Sequence, residues 1–363
     1  ALFFPRGVNL RVEKRAVLQG TANPEDYPLI ETRFEGIERE WRCAFLNFDD
    51  SEGVKVSGEG TIDGNGIAWK AIPFNGGGRP RLVCFTNCDG GSITGLKLQN
   101  QASWCLHVLY TDGFKIDGLN IEAIEYIPSS DGIDIDSSSD IYIGNTYIFV
   151  HDDCISIKSG KDAEGRRVAR PSEDILIENC HFAYGHGAVT MGSEISGSIR
   201  NVIARNCKVD GDNWGPIRFK SQPARGGVVE NITFENIEIS NSRNIFDINM
   251  EWKAGGDRSK HVMAENPTKL RNIVIRNCHG SADKIGTMYG YTSYPFEEGA
   301  FKFENCSFEA KTGLSTWSTG NIDFSGLEIK VEQGKPIYER GTQNIKQENA
   351  PNNWRPEYVK KSK

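Results

Sequence analysis

The feature that most restricts this chain is a recurring unit of strand, asparagine and strand: "ILIENCHF", "VIARNCKV", "ITFENIEI", "IVIRNCHG" and "FKFENCSF", with the asparagines at Asn179, Asn206, Asn236, Asn277 and Asn305. The intervals are 27, 30, 41 and 28 residues, and each holds two or three short alternating runs punctuated by Gly, Asn, Asp or Ser. Strands this short cannot bury a face alone, so units at such a period must stack on one another. Alternation with almost no helical periodicity predicts an all-β solenoid, a single-domain right-handed parallel β-helix over residues 1–363. An Asn at a fixed turn can form an amide ladder up the stack, which makes the asparagines structural. A β-sandwich would instead need matched strands joined by two-residue turns, and such signals are scarce.

Composition narrows the partners. A net charge of −7 lacks the broad positive footprint of a nucleic-acid or anionic-membrane binder, so an acidic substrate must be held by locally placed cations. No run reaches eighteen apolar residues, which excludes a helical membrane span. The opening "ALFFPRGVNLRVEKRAVLQGT" reads as the inside of a fold, as expected of a chain trimmed of a signal peptide, and 342–363 reads as a polar tail. Nine cysteines, several in Asn-Cys pairs and none in close CxxC spacing, predict buried thiols rather than metal ligands. Disulfides stay open, because a secreted chain permits them.

The stretch "SSDGIDIDSSSDIYIGNTYIFVHDDCISIKSG" (129–160) threads many aspartates through β-branched runs. Residues one coil apart stack at about 4.8 Å. Asp131 precedes Asp152 and Asp153 by 21 and 22 residues, about one coil, so three carboxylates should gather on one face. Further along the same face come His186 in "YGHGAVTMGSE" and then Arg218 and Lys220 in "WGPIRFKSQ", two apart and so on one side of a strand. Crowded carboxylates raise one another's pKa, which would leave one protonated as an acid and another ionised to activate water. A guanidinium and an ammonium would receive an acidic sugar. Taken singly, Asp-Gly is a common turn, Gly-His-Gly another, and Arg218 with Lys220 a solvated strand face. Their coincidence at coil spacing points to hydrolysis of a glycosidic bond in a uronate.

In order and spacing, "SSDG" (129–132), "HDD" (151–153), "GHG" (185–187) and "RFK" (218–220) resemble the signatures of glycoside hydrolase family 28, the polygalacturonases; "GEGTIDGNGIAW" (58–69) resembles that family's Gly-rich coil. The resemblance implies a parallel β-helix and an inverting, pectin-degrading hydrolase with no metal or organic cofactor, secreted or periplasmic, acting on a pectic polysaccharide or oligogalacturonide. It assigns Asp152 as general acid, Asp131 and Asp153 to hold and activate water, His186 to tune the acid, and Arg218 and Lys220 to the galacturonate carboxylate. Inversion asks for about 6.5–9.5 Å between acid and base carboxyl groups. Three positions depart from the pattern: Ser129 stands for Asn, His151 for Gly or Gln, and Trp252 for Tyr in a substrate-contacting place. These bear on substrate choice.

The run "SIKSGKDAEGRRVARPSEDILIENC" resembles bacterial members, many of them exo-acting, and its Arg166, Arg167 and Arg170 are expected to close one end of the cleft on a terminal uronate. A galacturonosyl bond in a rhamnogalacturonan is the alternative substrate. A calcium-dependent pectate lyase and a noncatalytic polysaccharide-binding β-helix are the rival classes.

Overall fold

The computed structural model describes residues 1–72, 77–123, 126–253, 263–320 and 322–340. The tail expected over 342–363 lies outside them. The expected parallel β-helix is present: apart from one hairpin, the paired strands run parallel to strands one coil away. One ladder climbs through Leu46–Asp49, Val83–Thr86, Leu106–Leu109, Ile133–Asp136, Ile155–Lys158, Val189–Met191 and Ile217–Lys220. It then continues along the end of the long strand Val228–Asn249.

Alternation decides which way each residue faces. In Ile133–Asp136 the two isoleucines point inward, where Ile133 stacks on Leu106 and Ile155, while Asp134 and Asp136 stay on the outer face. The interior is a continuous apolar column; Phe4, Phe48 and Phe85 stack in it at centroid spacings of 4.3 and 4.9 Å.

The turn asparagines do what the repeat requires. Asn179, Asn206, Asn236, Asn277 and Asn305 all take left-handed backbone, which Asn tolerates better than other non-glycine residues. Their side chains link successive coils, Asn236 to Asn206 at 3.0 Å and Asn305 to Asn277 at 2.8 Å; a parallel row joins Asn231 to Asn201 and Asn272 to Asn231. The cysteine after such an Asn turns inward, and all nine cysteines are buried thiols.

The exception to parallel pairing is the hairpin Leu29–Phe34 with Ile37–Arg42. Its two-residue turn is Glu35-Gly36, both with positive φ, a mirror-image turn that matches strand twist. The hairpin lies across the outer face of the ladder. Arg33, fully buried, reaches Asp136 at 3.0 Å and Ser137 at 2.7 Å. Phe34 stacks between Trp41 and Trp104, at 4.3 and 4.5 Å. At the tip, the Gly36 carbonyl accepts from the Lys161 amide at 2.9 Å.

Candidate active site

Strand register assembles the site. Ile133 pairs with Ile155, Ile155 with Val189, and Val189 with Ile217. Two residues earlier on the four strands stand Asp131, Asp153, Gly187 and Gly215; three earlier stand Ser130, Asp152, His186 and Trp214. Two neighbouring columns therefore run along the axis, one of two carboxylates followed by two glycines, the other of serine, carboxylate, imidazole and indole. Backbone bonds lock them, including His186 N–H to the Asp152 carbonyl and Gly215 N–H to the His186 carbonyl, at 2.8 and 3.0 Å.

One oxygen from each of Asp131, Asp152 and Asp153 lies within 4.8 Å of the other two. Asp131 is 4 % exposed and Asp153 fully buried, whereas a quarter of the Asp152 side chain is open to solvent. His186 Nδ1 lies 3.1 Å from Asp152 Oδ1, and its ring stacks on Trp214 at 4.1 Å. Arg218 donates from Nη1 to Asp153 and from Nε to Asp247, both at 2.8 Å; Lys220 donates to the other Asp153 oxygen at 2.6 Å. Trp252 places its ring 4.9 Å from Lys220 Nζ. The three carboxylates have the spacing to hold a metal ion, although Arg218 and Lys220 already give Asp153 two positive partners.

The electrostatics differ from simple crowding. Burial, reinforced by Asp152 and Asp134, pushes Asp131 well above the ordinary carboxylate range. Burial also pushes Asp153 up, but Lys220 and Arg218 outweigh it and hold this carboxyl far below that range. For Asp152 the upward push of burial is overcome by the hydrogen bond to His186, and its pKa is lowered. The carboxyls do split, but burial raises Asp131 while Asp152, which the resemblance assigns as the acid, is lowered.

The second glycine of "GHG" has a packing reason. A Cβ on Gly187 would meet Thr190 Oγ1 and stand 2.9 Å from Arg218 Cδ, the stem that carries the guanidinium to Asp153. Gly187→Ala is therefore expected to lose about 1–3 kcal/mol of stability by overpacking and to displace the Arg218 stem; if Arg218 receives an acidic sugar, galacturonate binding weakens with it. Thermal unfolding and calorimetry with galacturonate check both; a variant unchanged in both would mean that Arg218 does not need this gap.

Residues 30–327 match the sequence model of the family described as Glycosyl hydrolases family 28. The chain belongs to that family. Among family 28 relatives, a probable polygalacturonase from Vitis vinifera is 35% identical over 279 residues, 74% of this chain and 56% of that protein. Polygalacturonase-2 from Solanum lycopersicum is 27% identical over 305 residues, 79% of this chain and 62% of its own length. The chain thus spans about half to three fifths of such relatives. In fold it is similar to a Yersinia enterocolitica family 28 exopolygalacturonase, with a TM-score of 0.81, 18% identity, and coverage of 97% of this chain and 71% of that one. It is similar also to a hyperthermoactive exopolygalacturonase from Thermotoga maritima, with a TM-score of 0.73, 24% identity, and coverage of 90% and 83%.

In this family 28 chain the motif residues Asp131, Asp152, Asp153, His186, Arg218 and Lys220 converge on one patch, with Trp252 beside them. Ser129, at positive φ, precedes the carboxylate column, and His151 packs edge-on against Tyr126 and Tyr184 at 5.7 and 5.2 Å. The three loop arginines have partners outside the motif residues. Arg166 donates to the carbonyls of Ala224 and Arg225, Arg167 pairs with Glu164 on the short helix Asp162–Val168, and Arg170 pairs with Asp112. Two members of the patch stand outside the motifs, Trp214 and Asp247. Each follows a motif residue by about one coil, 28 after His186 and 29 after Arg218, and that spacing was the available signal.

Proposed function

We propose that this chain is an inverting glycoside hydrolase that cleaves α-galacturonosidic bonds of pectic chains from an end, outside the cytoplasm. The observation that supports it most is a single patch holding three carboxylates, an imidazole on one of them and a buried Arg-Lys pair on another. Asp152, the most open of the three, protonates the leaving oxygen in this reading. A uronate entering the cleft adds negative charge and displaces water, and both raise the Asp152 pKa. The nearest carboxylate oxygens are closer together than the general separation for inversion, yet oxygens up to 4.8 Å apart can both be reached by one water making bonds of about 2.8 Å. In this reading Asp153, held ionised by Lys220 and Arg218, takes that water's proton, with Asp131 helping to hold it. The uronate carboxylate meets Arg218 and Lys220, with its ring against Trp252.

Action at a chain end rests on the hairpin rather than on the loop arginines. Trp104 precedes Asp131 in the same column, and Phe34 stacks on it, so buried aromatic rings stand one coil before the carboxylates. A chain that cannot continue past Trp104 presents its terminus.

Product sizing over time on de-esterified polygalacturonate and a defined galacturonate oligomer tests the reading, with absorbance of unsaturated product followed with and without calcium. Small product of one size from the first minutes is expected. Calcium-dependent unsaturated product would replace the hydrolase with a lyase. Activity only on a rhamnose-containing fragment would mean that Ser129, His151 and Trp252 redirect the same machinery to another pectic bond.

A further inference from the structure

Arg218 is shared. It lies opposite Asp247 in the next coil, and the two are joined through Nε at 2.8 Å while Nη1 reaches back to Asp153. A glycine opens the path on each side. Gly187 leaves room for the Arg218 stem, and Gly215 leaves room for Asp247, since a Cβ there would sit 2.5 Å from Asp247 Cβ. Arg218 is 4 % exposed, so its orientation is set by these partners rather than by water.

An arginine facing a lone carboxylate frequently closes on it with two parallel hydrogen bonds. Here Asp153 receives one nitrogen from Arg218 and one from Lys220, each on a different oxygen. We infer that Asp247 is a positioning residue: by occupying the Nε edge of Arg218 it prevents a two-pronged clasp on Asp153, keeping that carboxylate available to water and the guanidinium plane turned towards the uronate. The inference rests on the galacturonide-hydrolase reading and adds a role to a side chain outside the four motifs.

Without Asp247 the guanidinium is expected to fold onto Asp153. In Asp247→Ala, kcat/KM should fall by about 10²-fold, the scale of a small misplacement at a reacting centre, with kcat carrying the larger share because Asp153 is occupied. Asp247→Asn preserves shape and packing against Gly215 and should lose less, and Asp247→Glu should recover part of the rate. The deciding measurement is the double-mutant cycle with Arg218→Ala on the intact chain, with melting temperatures recorded for every variant. Positioning through Arg218 predicts that Asp247→Ala costs almost nothing further once Arg218 is gone. Multiplying effects would overturn the inference, as would equal losses in KM alone. If the unaltered chain proves inactive on galacturonides, the hydrolase reading fails by itself, and the same cycle read by calorimetry with galacturonic acid still tests the Asp247 to Arg218 link.

Discussion

Asp152→Asn should lower kcat by about 10³-fold, the middle of the range for a positioned general acid, while leaving the affinity for a galacturonate oligomer within a few-fold. The amide matches the carboxyl in shape and can donate to or accept from His186 Nδ1, so the 3.1 Å contact and the stack on Trp214 survive. It has no proton to give, and leaving-group departure slows. Binding persists because Arg218 and Lys220 are held by hydrogen bonds to Asp153 and Asp247, which the substitution leaves in place. One charge disappears from the cluster, and part of what holds Asp131 high is that charge. The Asp131 pKa should therefore fall in the variant, a change visible by carboxyl NMR. Steady-state kinetics and calorimetry on the same oligomer check the pair of outcomes. Near-normal turnover would remove Asp152 from the acid role, and lost affinity would recast it as a binding group.

Arg33→Ala should cost about 3–5 kcal/mol at neutral pH, the usual result of stranding one half of a buried ion pair. Both Arg33 and Asp136 are fully buried, 3.0 Å apart. Burial pushes the Asp136 carboxyl up, and the Arg33 charge overrides this and holds it down at about 2. A carboxylate lowered on folding contributes stability that is present above its unfolded value near 3.9 and is lost as pH falls through the folded value. The parent chain should accordingly lose this contribution between about pH 4 and pH 2. In the variant the sign reverses: with Arg33 gone, burial raises Asp136 against only Ser137 and His107, and the deficit against the parent shrinks on acidification. Denaturant unfolding at several pH values reads this directly. The same substitution removes one of the ties between hairpin and ladder, so products should shift from one small size towards a ladder of oligomers. A destabilised variant with unchanged products would show that something other than the hairpin ends the groove.

Much of this was legible because a parallel coil turns sequence interval into contact. The 22 residues from Asp131 to Asp153 already imply neighbours, and the motif residues, with Trp252, fall into one patch. Spacing alone did not reveal depth. Arg218 and Lys220 read as outward cations awaiting a substrate, whereas Gly187 lets Arg218 pass inward to Asp153, and that pairing reverses the pKa expected from crowding. The arginines at 166, 167 and 170 lie on and just after a helix, where the coil period says nothing about direction; Arg167 finds a local acceptor, while Arg166 and Arg170 reach residues distant in sequence. The hairpin was missed for a related reason: its turn is Glu-Gly rather than Asn-Gly, and its two strands are the antiparallel pair in a chain otherwise read for parallel stacking.

The interval from Asp131 to Asp153 is 22 residues and that from Asp153 to Gly187 is 34, yet both steps keep the same pairing of the flanking strands. The additional dozen residues leave the ladder after Lys158, form the short helix Asp162–Val168 and return without shifting Val189 against Ile155. Corners can thus grow or shrink while the row of reacting groups stays in phase. Insertions and deletions at the corners are a free variable for this architecture, and those within the strands are not. New substrate preferences can be reached by redrawing the walls of the groove, with the chemistry at its floor inherited unchanged.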